Sequence, residues 1–356
     1  MSASDGQLMR SRSSQRRRRF TATNLLLVTV MTFGLGVLES GATVSNSPNL
    51  ATLKSEVMAA TKLRTVPSPT VPPLTWSMSS SQFSLPAIIH QCNPQLASPY
   101  VPSCSFGDLS AKTTVVLYGN SWAQQWVPTF DALGRADHFR LVSIAKPACG
   151  TFVEAGYVDP LGHVSTICQR FVTWAVREMN RLRPSTIVVS STLGNLLKPG
   201  ASRFAYGPDG RLPNSLLVAP TKQQASLAFH RLVTALAPSR ARIVLVGNIP
   251  VPRIGTFVGG TTPNQCLLAN LAHIQRCSVP TPTAANSTNR VSLMSAAAVA
   301  EVPFIDVNAL FCANGSCPLV VNRILVHFNT IHVSRPYARY LATAFGQLMG
   351  NLLPRR

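Results

Sequence analysis

A chain of 356 residues, 46% of them hydrophobic, can bury one sizeable core and still leave room for an extension beyond a domain of ordinary size. Lys and Arg outnumber Asp and Glu 32 to 12, a formal net charge of +20; the first 20 residues hold six Arg and one Asp, so 26 basic and 11 acidic residues remain beyond them, thinly spread. That spread, with no basic run interleaved with aromatics, argues against nucleic acid as a partner and fits a diffuse positive field facing acidic glycan, teichoic-type polymer or lipid headgroups.

In chain order, residues 1–19 form a basic tail with Arg10, Arg12 and four consecutive arginines ending at Arg19. The uncharged, mainly apolar stretch 20–38 follows, close to the roughly 20 residues that span a bilayer as a helix. Flanking arginines stay on the cytoplasmic side, so the rest of the chain is expected outside, either tethered to the cell membrane by an uncleaved anchor or secreted after cleavage of a signal peptide. Residues 39–85 are rich in Ser, Thr and Pro, show no sustained apolar period, and read as a linker. Eight cysteines fall as four local pairs: Cys92 with Cys104, Cys149 with Cys168, Cys266 with Cys277, and Cys312 with Cys317. An even count in an exported chain predicts disulfides between these neighbours. None has C-x-x-C spacing and the seven histidines form no ligand array, so zinc is not expected.

From residue 113 onward, short apolar runs alternate with amphipathic segments. This pattern predicts a parallel sheet with helical crossovers, its strands at 113–119, 139–145, 186–190, 242–247 and 304–307. Helical spacing links Trp122, Trp126, Phe130 and Leu133; then Phe171, Ala175, Met179 and Leu182; and last Val333, Tyr337, Leu341, Ala344 and Leu348. There is no internal repeat. Reactive groups of such a sheet belong on loops beyond the carboxyl ends of its strands. Ser121 lies there, after Val115-Val116-Leu117-Tyr118-Gly119-Asn120, and is expected to cap the first helix. Free N–H groups of that first turn would stabilise an oxyanion beside it, although a serine there can equally be a plain cap. His332, in Phe328-Asn329-Thr330-Ile331-His332-Val333-Ser334, lies on a loop before the last helix, which Ser334 should cap. A loop histidine at this edge can serve the serine as general base; alone it would be an ordinary surface histidine.

Together these segments resemble the SGNH/GDSL hydrolase superfamily, in particular the extracytoplasmic SGNH domain fused to, or standing beside, membrane acyltransferases that O-acylate bacterial surface glycans. The resemblance covers roughly residues 86–350. The family's Gly-Asp-Ser-His block aligns with Gly119-Asn120-Ser121-Trp122, and its Asp-x-x-His-Leu-Thr block with Asn329-Thr330-Ile331-His332-Val333-Ser334. Further landmarks are Cys104-Ser105-Phe106-Gly107-Asp108, Lys146-Pro147-Ala148-Cys149, and Cys312 with Cys317-Pro318. The resemblance implies a three-layer flavodoxin-like α/β fold with a five-stranded parallel sheet, a serine nucleophile with a histidine base, oxygen-ester substrates, and no metal or organic cofactor. Asn120, Trp122 and Asn329 depart from the family's Asp, His and triad carboxylate, and Ala148 replaces a glycine oxyanion donor. A third block survives as Gly194-Asn195, where the Asn195 amide would join the Ser121 N–H at the oxyanion unless it is only a turn residue. Among the remaining acids Asp306 is the best placed to orient His332, but in the family an Asp there is commonly not the triad acid; Asn329 can hold the imidazole by hydrogen bond without stabilising its charge.

The expected function is therefore an extracytoplasmic serine esterase or O-acyltransferase acting on acylated cell-surface glycan through Ser121, His332 and Asn329, with the membrane and a separate membrane acyltransferase as partners. The alternative is a catalytically silent module that binds wall polysaccharide or supports such an acyltransferase.

Overall fold

The computed structural model of the protein describes residues 47–74, 98–102, 104–147, 149–151, 157–158, 166–193, 195–197, 217–218, 221–251, 262–281, 288–329 and 331–354. The tail 1–19, the apolar stretch 20–38 and Cys92 lie outside them. Among the described residues no helix is long and apolar enough to cross a membrane.

The central sheet has six strands, which we number β1 (Cys104–Gly107), β2 (Thr114–Gly119), β3 (Arg140–Ala145), β4 (Thr186–Ser190), β5 (Arg242–Val246) and β6 (Phe304–Ile305). Their order across the sheet is β1-β3-β2-β4-β5-β6. The five expected strands are all present and parallel. Antiparallel β1 extends the sheet at one edge, where Phe106 faces Leu141. Every residue of β2 is buried, as expected for a strand covered on both faces.

Alternation along the strands divides the core in two. Val115, Leu117, Leu141, Val188, Val244 and Val246 point into one layer, and Val116, Tyr118, Val142, Ile144, Ile187, Val189 and Leu245 into the other. The first layer is covered by helices α1 (Leu50–Ala60), α2 (Ser121–Gln124), α3 (Val127–Asp137), and, later in the chain, a pair at Arg335–Tyr340 and Ala342–Met349. The opposite layer is covered by α4 (Thr166–Leu182), α5 (Lys222–Leu236) and a helix at Thr288–Val299. The result is a three-layer α/β/α domain.

Two expectations are corrected. The periodicity from Trp122 to Leu133 belongs to two helices: Pro128 stands in the first turn of α3, where it has no N–H to donate and its ring would clash with a continuing turn, so the helix restarts at Val127. The linker reading fails over residues 47–74. Asn49 caps α1, and Leu53 and Val57 are completely buried in the core. Tyr340 Oη donates to the Glu56 carboxylate at 2.8 Å, and Leu325 N donates to Val71 O at 2.9 Å. Leu50, Leu53, Val57 and Ala60 fall at helical spacing, a signal masked by the surrounding Ser, Thr and Pro.

Cys149–Cys168, Cys266–Cys277 and Cys312–Cys317 are disulfides, as the local pairing predicted. Cys104 is also disulfide-bonded.

Candidate active site

The site begins where β2 ends. Gly119 is paired with Ala145 on one side and Ser190 on the other, which brings the loops after β2, β3 and β4 together. A Cβ on Gly119 would lie 1.9 Å from the Ser190 carbonyl oxygen and 2.8 Å from the Ala123 Cβ, so only glycine fits between the sheet and the turn into α2. Asn120 follows, buried and extended, and it is Asn120 rather than Ser121 that caps α2: its Oδ1 accepts from Trp122 N at 3.0 Å. The expectation for Ser121 is thus shifted by one residue, because the asparagine side chain reaches the first-turn N–H groups and leaves Ser121 in the turn itself. Asn120 Nδ2 also donates to Thr192 Oγ1 at 3.1 Å, fastening the turn to the loop after β4. Among the described residues the Ser121 N–H meets no acceptor.

The opposing loop carries Asn329 and His332. Asn329 Oδ1 accepts from Ile331 N at 2.9 Å and His332 N at 2.8 Å, and stands 3.2 Å from His332 Nδ1. Two backbone N–H donors require an oxygen at that position, so the imidazole nitrogen facing it must donate. Nδ1 therefore carries the ring proton, and Nε2 is the acceptor. Nε2 lies 2.8 Å from Ser121 Oγ across 211 residues of sequence. Burial of the imidazole pushes His332 down to about 4, since charge there is poorly solvated. The Trp122 ring lies beside it, with centroids 6.1 Å apart.

Ser334 caps the helix at Arg335–Tyr340, as expected. Asp306 is committed elsewhere: Arg290 pairs with its carboxylate, and Asn308 N donates to its Oδ1 at 3.1 Å. Ala148, Gly194 and the Asn195 side chain lie outside the described residues; the Asn195 backbone starts a short strand, Asn195–Leu197. Sequence reasoning passed over Gln125, buried four residues after Ser121, whose Oε1 accepts from Val333 N at 3.0 Å. It also passed over buried His327, which pairs across the loop with Val333 and which desolvation pushes down to about 3. The i, i+4 spacing of Ser121 and Gln125 was visible, but nothing in a linear sequence pairs Gln125 with Val333.

Comparison with known proteins places the chain in a family. Residues 91–347 match the model of the SGNH domain described as fused to AT3 domains. No curated protein matches the sequence. Among solved structures, the periplasmic domain of a lipopolysaccharide acetyltransferase from Salmonella ser. Paratyphi A is similar at 14% identity and a TM-score of 0.47, over 68% of this chain and 84% of that one. A GDSL-like lipase from Bacteroides thetaiotaomicron is similar at 10% identity and a TM-score of 0.36, over 68% and 89%. The family match covers most of the chain, from the segment before β1 to the last helix, and the chain therefore belongs to the SGNH domain family, a domain of the hydrolase and acyltransferase type.

Proposed function

We propose that the protein is an exported serine esterase or O-acyltransferase that acts on acyl esters of cell-surface glycans. The observation that carries this reading is the 2.8 Å contact between Ser121 Oγ and the unprotonated Nε2 of His332. Ser121 Oγ attacks the ester carbonyl as Nε2 takes its proton, and the new oxyanion is held by the Ser121 N–H and the Asn195 amide. Collapse expels the alcohol, which takes the proton back from His332, and leaves an acyl-serine. Water or a sugar hydroxyl, deprotonated by the same imidazole, then releases the acyl group. The disulfides support an oxidising compartment, and the stretch 20–38 would anchor the domain there, beside a membrane acyltransferase of the kind to which related domains are fused.

The uncharged Asn329 favours a second reading, a silent glycan-binding module. A fluorophosphonate probe on the full-length protein in detergent separates the two. The enzyme labels in the wild type and not in Ser121→Ala; absence of labelling together with retention of wall polysaccharide establishes the binding module.

A further inference from the structure

We infer that Gln125 is a positioning residue that sets the separation of Ser121 and His332, an inference that rests on the reading of that pair given above. Three hydrogen bonds and the chain itself close a ring. The Gln125 N–H donates to Ser121 O at 3.1 Å; Gln125 Oε1 accepts from Val333 N at 3.0 Å; and His332, next to Val333, places Nε2 2.8 Å from Ser121 Oγ. The histidine loop has its own internal bonds, Phe328 N to His332 O and Ser334 N to Val326 O, both 2.9 Å. Those bonds fix the shape of the loop without fixing its distance from α2. Gln125 supplies that distance, because one side chain joins the turn that bears the nucleophile to the peptide that bears the base.

The chemistry of the amide supports the assignment. Val333 N–H requires an acceptor, which fixes Oε1 toward the loop and turns Nε2 inward, where it is buried and meets no acceptor among the described residues. Leaving an amide donor buried and unsatisfied is costly, and an apolar side chain of the same length would avoid the cost. What the glutamine retains in exchange is the acceptor for Val333. Asn329 has no charge with which to draw the imidazole into place, so orientation rests on hydrogen bonds of this kind.

The test compares Gln125→Met, which keeps the length and loses the acceptor, with Gln125→Glu, which keeps an acceptor, in the full-length protein. The readouts are the rate of fluorophosphonate labelling at Ser121, kcat and KM on an activated acetyl ester, and the melting temperature. Gln125→Met should lower the labelling rate and kcat by about tenfold or more with KM little changed, as expected for a small displacement of the base, and should melt close to wild type, since it exchanges one buried unsatisfied donor, Gln125 Nε2, for another, Val333 N–H. Gln125→Glu should recover most of the rate. A Met variant that folds and labels at the wild-type rate, or a Glu variant as slow as Met, overturns the inference. If Gln125→Met does not fold, Gln125→Asn, too short to reach Val333, carries the same expectation. Should wild type itself neither label nor turn over, the proposed function has failed, and the inference is then read from the imidazole nitrogen shifts of His332: a change in Gln125→Met sustains it and identical shifts overturn it.

Discussion

On the proposed function, Asn329 sets how strongly the site could work. It fixes the tautomer of His332 through an oxygen locked by two backbone N–H groups, yet it carries no charge to stabilise the imidazolium that the proposed reaction would form on deprotonation of Ser121. In serine proteases the same Asp-to-Asn difference lowers turnover by roughly 10⁴. Restoring the charge with Asn329→Asp should raise turnover of an activated acetyl ester by roughly tenfold or more, short of that factor because the orientation is already present, and adding Ser121→Ala should erase the gain. The pH dependence follows from the same residue. His332 acts as a base only when neutral, and burial puts its protonation at about 4, so wild-type labelling should hold through mildly acidic pH and fall as pH drops toward 4. A carboxylate at 329 favours the charged ring and raises that value, so the acid limb of Asn329→Asp should lie at higher pH. Labelling rates of both proteins between pH 3 and 8 check the sign. Asp306→Asn should leave both rates unchanged, since its carboxylate serves Arg290 and Asn308.

At the scale of elements, α1 is part of the domain it was expected only to tether. Its buried face and the bond between Glu56 and Tyr340 fasten it to the last helices, and Leu50 N donates to Gln347 Oε1 at 2.6 Å. Leu53→Ala should therefore cost about 2–5 kcal/mol of unfolding free energy, a value for a core position and not for a linker, measurable as a shift in the urea midpoint. The clasp also has an alkaline signature. Burial, with the Glu56 carboxylate alongside, holds Tyr340 up at about 12, whereas an unfolded tyrosine ionises near 10. A group whose folded value is raised contributes stability below the unfolded value and loses it above, so this contribution should be intact below about pH 10 and vanish by about pH 12. Tyr340→Phe should flatten that part of the stability curve. Gly119→Ala should prevent β2 from seating against β4, because the added carbon meets backbone rather than a movable side chain.

For the whole molecule, the disulfides and the N-terminal segment make its location testable. Non-reducing peptide mapping should recover the three described pairs and join Cys104 to Cys92, and the intact protein should stay with membranes after a high-salt wash and retain residues 20–38. A mature N-terminus near Gly41 would make that segment a signal peptide. Within the domain, the positions of the five parallel strands could be read from the sequence, because largely buried strands are written as mainly apolar runs, and so could α4, whose apolar residues repeat at 3.6. Edge strand β1 and helix α1 could not: four residues around Cys104 carry too little pattern, and α1 is seated on a surface assembled from segments far later in the chain. That Ser121 and His332 would meet was legible from the order of their motifs, with Ser121 just past the end of β2. The bonds that seat them, Asn120 to Thr192 and Val333 to Gln125, were not, since hydrogen bonds between residues 72 and 208 apart leave no local trace in a sequence. The sequence by itself determined which groups are candidates to react; only the tertiary structure decided the distance between them, because distance is a property of the packed layers and not of the chain.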